Sequence, residues 1–598
     1  MKRAGLVFIL SLMLLNSSLC VVSTEEPQYE PLFLIYLLSP NTSAARNQWT
    51  LLIENQLPKI GIETYTESLS WGWEYGNRVW EYPLIDYDYI PPYADGGYDV
   101  FFVGWSWDFD WDPTGLYDIP SLVPNGDNFY QYQNPDYDDK LQQYFSTHNQ
   151  TLQNEMLYEM QNILYEDLPS ITLIYPKSLF GFKEGIVGVN TLLLSTSGFH
   201  SENWDDPADH VIRFAMAADL REWNPLVLDS YYDSLWMQSV YGSLFRRNQI
   251  SREWEAYLAT DYEISSDGLN FTVNIDPNAK FSDGSPVLAE DIAYTYELHL
   301  TPAVGSSRYS KVNTWFANNN SIQVVDSHTI NFNFTALHPF APDMMSFEII
   351  DKSEIEPLIT TYSYSIFIEA PLTGNVQDSL VKSCGPFMLD TFGVVNGTAK
   401  MIPNPYWDDT IVSGANQPLL DELYFEFVSG ASTAIAELIS GNIDIVDSQY
   451  YLSFEDFNTV GIEARTVIDL AHQEIAINMR HPVIGTGELT PLGTEEAAKN
   501  IRKAISHAIP RQIIVDEILD GLGSPGITPM PPVCVGFNDA IQPYEYNLTL
   551  ARKYMEHADY DLIEITTTPT TTTNFTILLI MIVGLTTVTF VRKGKRKR

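Results

Sequence analysis

An aromatic and acidic segment in the first fifth of the chain carries residue types suited to holding a cationic ligand. The segment reads Gly104-Trp105-Ser106-Trp107-Asp108. A carboxylate in a closing cleft neutralises an amino group through charge-assisted hydrogen bonds, and tryptophan faces attract cations. We therefore expect Asp108 to anchor such a group between walls formed by Trp105 and Trp107. The alternative is a packed surface loop whose carboxylates are solvated. The same character continues in the residues that follow, Asp110, Trp111 and Asp112.

Sequence motifs for catalysis, phosphate binding and metal binding are missing. Gly485-Thr486-Gly487 lacks the lysine and the helix context of a phosphate loop. The histidines show no spacing typical of a metal site, and no serine lies in a Gly-x-Ser-x-Gly turn. Paired carboxylates are too frequent in so acidic a chain to identify a glycosidase. The sequence predicts a binding protein without enzymatic activity, metal or cofactor.

The elements that must position these residues alternate between strands and helices. An apolar run from Leu32 to Leu38 predicts a buried strand, helical periodicity covers Asn41 to Leu57, and a strand resumes at Gly61. A further strand, Asp99 to Val103, leads into the aromatic segment. Other predicted elements are a long helical stretch over Asp138 to Glu166, strands at Ile171 to Tyr175, from Val211 and at Leu269 to Ile275, a helix at Ala289 to Leu300, an α/β stretch at Ala431 to Val446 and a mainly helical stretch at Thr494 to Gly521. This alternation predicts a mixed α/β fold.

Composition limits the classes of partner. With 598 residues, 45% of them hydrophobic and 13% aromatic, the chain can bury a large core divided among domains. The formal net charge of −44 argues against nucleic acid, because proteins that bind phosphate backbones carry a basic surface. Such acidity keeps a surface protein soluble or attracts cationic ligands, and adaptation to salt is a competing explanation.

Both ends of the chain carry signals for membrane targeting. Lys2 and Arg3 precede an apolar run, which predicts a secretory signal peptide over residues 1–23, with a lipoprotein site at Cys20 as an alternative. The Thr-rich residues 563–574 predict a stalk. Residues 575–591 are uncharged and long enough to cross a ~30 Å hydrocarbon core, and the basic residues 592–598 place the C-terminus in the cytoplasm. We therefore expect a single-pass protein of the cell membrane whose bulk is extracellular.

Two kinds of covalent modification stay open at the level of the sequence. Cys384 and Cys534 remain after removal of the signal peptide, either as a disulfide or as two thiols. Sequons for N-glycosylation predict a glycoprotein and lie at Asn41, Asn149, Asn270, Asn319, Asn333, Asn396, Asn547 and Asn574.

Short motifs follow one another in a fixed order from residue 211 to residue 560. The central ones are Asp267-Gly268-Leu269, the run Lys280 to Val287 and the run Ala289 to Ile292. The flanking motifs are Trp223 to Leu226, Val240 to Phe245, Cys384 to Phe387, Asn404 to Trp407, Ala436 to Leu438, Gly441 to Ile445 and Ile501 to Ile509. In series they resemble the peptide/nickel class, family 5, of extracellular solute-binding proteins of ABC transporters. Asp276 departs from the pattern, since the family commonly has a basic residue there, and Cys384 replaces a small or hydroxyl residue.

The order of the motifs relative to the chain ends is rotated. Residues 30–205 resemble the end of a family member, whereas residues 211–560 resemble its beginning and middle, so we predict a circular permutation. The resemblance implies a two-lobed periplasmic-binding-protein-like fold (type II, cluster C) with an extra subdomain. The predicted segments are 24–165 and 486–562 for one lobe and 166–485 for the other lobe with its subdomain.

The resemblance also implies a function and a set of site residues. In peptide-binding members the aspartate of the Gly-Trp-x-x-Asp pattern holds the ligand amino group, which maps onto Asp108, with Trp105, Trp107 and Tyr241 around it. The implied function is a receptor that binds peptides or similar small solutes and delivers them to the permease subunits of an ABC importer. A surface sensor or adhesin that reuses the fold, and an extracellular hydrolase, are the alternatives.

Overall fold

The computed structural model describes residues 26–84, 88–194, 200–220, 224–228, 230–364, 381–393, 397–407 and 417–565. The predicted signal peptide and the predicted membrane-spanning segment lie outside these ranges. Residues 566–574 of the predicted stalk also lie outside them, as do Trp223 and Asn396 and the sequon residue Asn574. Within the described ranges, no helix combines the length and the apolar character that crossing a membrane requires.

The predicted mixed α/β class is confirmed. The strands are β1 (Phe33–Pro40), β2 (Ile62–Leu69), β3 (Val100–Ser106), β4 (Ser170–Lys183), β5 (Val211–Met216), β6 (Phe245–Arg247), β7 (Trp254–Ala256), β8 (Ala259–Ile264), β9 (Asn270–Ile275), β10 (Ile322–Asp326), β11 (Thr329–Asn333), β12 (Phe387–Gly393), β13 (Thr398–Pro403), β14 (Glu422–Phe427), β15 (Ile445–Val446), β16 (Ile462–Ile468), β17 (Ala471–Ile477) and β18 (Gly523–Pro525). The α-helices are α1 (Ala44–Glu54), α2 (Trp73–Gly76), α3 (Pro135–Phe145), α4 (Gln150–Asp167), α5 (Thr191–Leu194), α6 (Tyr231–Val240), α7 (Ala289–His299), α8 (Tyr309–Trp315), α9 (Lys352–Tyr362), α10 (Ala431–Ser440), α11 (Glu495–Ala508), α12 (Arg511–Ile513) and α13 (Leu548–His557).

Local capping explains where two predicted helical stretches divide. The helical stretch predicted over Asp138 to Glu166 consists of two separate helices, α3 and α4. The side chain of Asn149 accepts hydrogen bonds from the backbone of Thr151 and Leu152 and so begins a new helix. In the stretch from Thr494, helix α11 ends before Pro510, which lacks the backbone donor that a continuing helix needs.

Strand β4 belongs to two sheets at once. The residues from Ser170 to Ile174 pair with β17, which continues to β3, β1 and β2. The residues from Lys177 to Lys183 pair with β16, and the same half of β4 also meets β15, from which the sheet continues through β5, β14, β13 and β12. One long strand therefore connects two halves of the molecule.

The chain passes between the two halves at a second place beside the first. Asp469 and Leu470 join β16 of one sheet to β17 of the other, and the backbone N–H of Asp469 donates to the carbonyl of Pro176 at 2.9 Å. We call residues 26–175 and 471–565 the terminal lobe and residues 177–468 the central lobe. Two adjacent crossing segments of this kind are the usual architecture for a hinge between lobes.

The terminal lobe is built from both ends of the described chain. Ile35 and Ile53 from the first segment share one apolar cluster with Ile501, Ala504 and Met555 from the last. The ends of the described part of the chain also lie side by side, because the N–H of Ile565 donates to the carbonyl of Gln28 at 2.8 Å. A common core is the arrangement that a circular permutation requires.

The central lobe carries a smaller unit with its own core. Strands β8, β9, β11 and β10 form a four-stranded antiparallel sheet. Helix α7 covers this sheet, and Ile292 and Tyr296 pack against Phe271 and Phe332. The turn at Asp267 and Gly268, where Gly268 has a φ of +72°, connects β8 to β9.

Candidate functional site

The aromatic segment leaves the sheet of the terminal lobe beside the two crossing segments. Strand β3 pairs antiparallel with β17, so that Ser106 lies opposite Ala471. The backbone N–H of Trp107 then donates to the carbonyl of Leu470 at 2.7 Å. The loop that begins at Trp107 is therefore attached directly to the connection between the lobes.

The two tryptophans of this segment have different surroundings. Trp105 packs inside the terminal lobe, where its ring stacks on Phe129 with centroids 6.0 Å apart. Trp107 lines a cavity between the lobes, and its Nε1 donates to His472 Nδ1 at 2.9 Å. Of the two predicted walls, Trp107 lines this cavity and Trp105 does not.

A first cavity, of about 230 Å³, lies between Asp108 of the terminal lobe and residues of the central lobe. We call it the arginine cavity. Tyr241, the first residue after helix α6, is buried and lines it. Its basic lining residues are Arg246, Arg247, Arg308 and Lys311.

Each of these cations has a carboxylate partner. Arg246 donates to Glu202 at 2.8 Å and Lys311 lies 2.6 Å from Asp343. Arg308 is paired with Glu348, and Arg247 with Asp110. The walls of the arginine cavity therefore contain compensated charges.

The pair of Arg247 and Asp110 joins the two lobes. Arg247 donates through Nη1 and Nη2 to the two oxygens of Asp110, at 3.1 and 2.6 Å. Antiparallel pairing of β6 with β7 places Arg247 opposite Trp254. The guanidinium lies 3.8 Å from the Trp254 ring centroid, and Trp254 Nε1 donates to the same carboxylate at 3.0 Å. Asp110 thus holds the lobes together in the described conformation.

Asp108 has no such partner. Its side chain reaches both cavities between the lobes, and no cationic side chain of the described residues forms an ion pair with it. Asp108 is exposed to solvent in the described conformation, but desolvation by the surrounding protein raises the pKa of its carboxyl above its ordinary value, and Arg247 nearby opposes that rise. A carboxylate in this position is ready to accept a cationic group from a ligand.

A second cavity, of about 610 Å³, adjoins the first at Asp108. We call it the aromatic cavity, because Trp107, Tyr231 and Tyr232 line it. Its charged lining residues are Asp108 and Asp469 alone. Burial raises the pKa of Asp469, and hydrogen bonds from Ser178 only partly offset the effect.

The cysteines lie apart from any disulfide or metal site. Cys384 and Cys534 are both buried free thiols, and burial raises the pKa of Cys384 to about 12. Cys534 Sγ donates to the backbone carbonyl of Asp108 at 3.4 Å, so it supports the loop. The described part of the chain contains no group of three or more histidine, cysteine or acidic side chains arranged to hold a metal ion.

Sequence reasoning missed the basic lining of the arginine cavity. A signal was present, because Arg246 and Arg247 are adjacent in a chain that has only 33 lysines and arginines against 77 acidic residues. Their partners could not be inferred, since Glu202 and Asp110 lie far away in the sequence.

Comparison with known proteins identifies a family and several similar proteins. The family model of bacterial extracellular solute-binding proteins, family 5 Middle, matches residues 253–582, more than half of the chain. A probable ABC transporter-binding protein of Deinococcus radiodurans is 26% identical over 324 residues, which is 52% of this chain and 54% of that protein. A probable D,D-dipeptide-binding periplasmic protein of Escherichia coli is 26% identical, over 54% of this chain and 55% of that protein.

Two further matches bear the description of oligopeptide-binding protein. The protein OppA of Lactococcus lactis is 25% identical over 51% of this chain and 52% of its own length. The solved structure of AppA from Bacillus subtilis in complex with a nonapeptide has a TM-score of 0.37 and 18% identity, over 58% of this chain and 64% of AppA. The chain spans about half the length of the curated relatives it matches.

Proposed function

The chain belongs to the bacterial extracellular solute-binding proteins of family 5, and from this premise we propose that it is a receptor for a small solute with a cationic amino group. The observation that carries the proposal is the position of Asp108. It lies where both cavities between the lobes meet, and it forms no ion pair with any described residue. An amino group bound there would supply the missing countercharge.

A peptide is the solute that best fits this site. Its N-terminal ammonium group matches Asp108, and the volume of the two cavities accommodates the residues that follow. The names of the relatives, which include dipeptide-binding and oligopeptide-binding proteins, support the same class of solute. Binding would be reversible and would involve no covalent chemistry.

The two crossing segments at Pro176 and Asp469 support a mechanism of hinge closure. Asp108 of the terminal lobe already lines the arginine cavity of the central lobe, and closure around a ligand would exclude water from it. The closed receptor would then dock on the permease subunits of an ABC importer. Residues 575–591 would tether it to the membrane with the lobes outside the cell.

Replacement of Asp108 by asparagine tests the proposal. The change keeps the size of the side chain and removes its charge, so folding should be unaffected. The affinity for trialanine should fall by about 2–5 kcal/mol, the range for removing one side of a buried charge pair. N-acetyl-trialanine, which has no ammonium group, should bind wild type and Asp108→Asn equally. Titration calorimetry of the full-length protein measures both, and equal affinities for trialanine would remove Asp108 from the site.

The circular permutation is a separate proposal, which the common core of the terminal lobe supports. If it is right, a variant in family order should fold. This variant begins at His210, continues to Ile565, passes through a short Gly-Ser linker to Gln28, and ends at Asp209. The linker is short because Gln28 and Ile565 are hydrogen-bonded neighbours. Unchanged thermal unfolding and trialanine affinity are expected, and an unfolded product would count against the permutation.

A further inference from the structure

A fully buried polar network lies behind the two tryptophans of the aromatic segment. His472 and Glu474 are alternate residues of β17, so their side chains point to the same face of the sheet. Both are completely shielded from solvent. They lie opposite Trp105 and Val103 of the neighbouring strand β3. Two polar residues side by side in a lobe core are costly unless their hydrogen bonds are satisfied.

One carboxylate collects hydrogen bonds from both tryptophans. Oε1 of Glu474 accepts from Trp105 Nε1 at 3.2 Å and from the hydroxyl of Tyr130, whose oxygen also accepts from Trp105 Nε1 at 3.1 Å. Oε2 of Glu474 lies 3.1 Å from His472 Nε2. His472 Nδ1 in turn accepts from Trp107 Nε1 at 2.9 Å. Glu474 therefore holds Trp105 directly and Trp107 through His472.

The donors in this network fix where the proton of His472 resides. An indole N–H only donates, so Nδ1 of His472 must carry no proton when Trp107 is bound to it. The proton then resides on Nε2 and points at Glu474. The planes of Trp107 and His472 are 6° apart with centroids separated by 5.9 Å, as expected for a bond in the common plane of the rings.

The hydrogen bonds of Glu474 are those of an ionised carboxylate. Glu474 accepts from an indole, a hydroxyl and an imidazole, and a carboxylate offers lone pairs to all three donors. Burial alone would raise the pKa of Glu474, but the electrostatic interaction with His472 and the hydrogen bonds from His472 and Tyr130 hold that pKa below its ordinary value.

We propose that Glu474 is a positioning residue, which fixes the indoles of Trp105 and Trp107 and so aims the adjacent Asp108 at the ligand. The proposal rests on the function proposed above for Asp108. The network begins directly after the crossing segment at Leu470, whose carbonyl also binds the backbone of Trp107. The ligand loop is therefore held from its side chains and its backbone at the same point.

The variant Glu474→Gln tests this role with a sharp expectation. The amide has one donating nitrogen, which must face either the Trp105 side or the His472 side. On the first side it meets the Trp105 donor, which then keeps only the Tyr130 hydroxyl oxygen as acceptor. On the second side it forces the proton of His472 to Nδ1, where Trp107 loses its acceptor. At least one of the two indole N–H signals must therefore shift in the nitrogen–proton NMR spectrum of the full-length protein labelled with ¹⁵N-indole tryptophan.

The same variant should bind trialanine about 10-fold to 100-fold more weakly, the range for residues that orient a binding group from behind. Trp105→Phe and Trp107→Phe identify the two signals by their loss. Asp167→Asn is the matched control, because Asp167 lies in the same lobe and accepts from the Tyr132 hydroxyl at 2.6 Å without contacting a tryptophan. It should change neither the indole signals nor the affinity. Unshifted signals in Glu474→Gln, or shifted signals with unchanged affinity, would overturn the proposal.

A second pair of variants keeps the proposal testable if Glu474→Gln does not fold. In His472→Gln the amide oxygen can accept from Trp107 and the amide nitrogen can donate to Glu474, whereas His472→Leu can do neither. The Trp107 signal and the affinity should survive in the first and be lost in the second. Equal behaviour of the two variants would overturn the role of the network. If wild type itself fails to bind trialanine, the proposed function fails for that ligand, while the indole signals still decide the network.

Discussion

The arginine cavity and the aromatic cavity meet at Asp108, yet the charged side chains that line them differ in sign and in pairing. Four cations line the first cavity, and each is paired with a carboxylate. The second cavity is lined by carboxylates and aromatic rings, and no cation of the described residues faces it. The comparison shows that an acidic lining alone says little about a binding site. What distinguishes the two cavities is whether the protein already supplies the countercharge.

The difference assigns separate roles to carboxylates that look alike in the sequence. Asp108 and Asp110 are two residues apart, and both were expected to give the segment its acidic character. Asp110 is committed to Arg247 and holds the lobes together, whereas Asp108 is left for a ligand. Removing a paired carboxylate should therefore damage folding, and removing an unpaired one should damage binding.

The largest effect on stability is expected from Asp110→Ala. Arg247 is 5% exposed, so the change leaves a buried guanidinium without its partner. Breaking a buried pair in this way costs about 3–5 kcal/mol. Urea unfolding of wild type and variant measures the loss. Asp112→Ala is the control, because Asp112 is exposed and should cost less than about 1 kcal/mol. Similar small losses of stability in both variants would contradict the role of the Asp110–Arg247 pair in holding the lobes together.

Asp447→Asn is expected to raise the folding stability at neutral pH, in contrast to Asp110→Ala. Asp447 precedes Ser448 of the aromatic cavity, and its burial raises its pKa to about 6, against about 3.9 in an unfolded chain. Between these values the folded state binds the proton more tightly than the unfolded state. Stability should therefore fall as the pH rises from about 4 to about 6.

Asparagine has no charge to bury, so this part of the fall should disappear in the variant. At pH 7 Asp447→Asn should be more stable than wild type by up to about 3 kcal/mol, and the gain should vanish below pH 4. Urea unfolding at pH 4, 5, 6 and 7 gives the profile. A variant that is less stable than wild type at pH 7 would show that interactions in the folded state offset the cost of burying the Asp447 charge.

The sequence was informative where a pattern is local. The apolar run at β1 and the alternating residues of β9 predict strands, because the period of side-chain burial is visible within a few residues. The α/β class follows from such runs in order along the chain. The division of α3 from α4 was missed although its cause, the capping residue Asn149, is also local.

The sequence was uninformative where a feature depends on distant residues. That β4 spans two sheets cannot be read from its residues, since a fully buried strand has the same apolar run in either sheet. The partners of Arg246 and Arg247 come from other elements, so neither compensation nor the difference between the cavities is visible along the chain. Trp105 and Trp107 look equivalent for the same reason, although Trp107 lines the aromatic cavity and Trp105 stacks on Phe129.

The smallest effect, on the preference between two peptides, should come from Asp469→Asn. This variant tests whether the aromatic cavity recognises a positive charge on the ligand side chain. Lys-Ala-Ala and norleucyl-Ala-Ala share an N-terminal ammonium and a similar chain length, but only lysine adds a second cation. Wild type should prefer the lysine peptide if that cation enters between Trp107, Tyr231 and Asp469. Asp469 is only partly buried, so its loss should reduce the preference by about 1 kcal/mol, or roughly fivefold.

Asp108→Asn is the control that separates the two carboxylates. It should weaken both peptides by a similar factor, because both present the same ammonium group to Asp108. A change in the lysine preference confined to Asp469→Asn would assign the second cation to the aromatic cavity. An unchanged preference in Asp469→Asn would show that the aromatic cavity does not recognise the lysine side chain of the peptide. Asp108 would then remain the one carboxylate of the lining whose missing countercharge comes from the ligand.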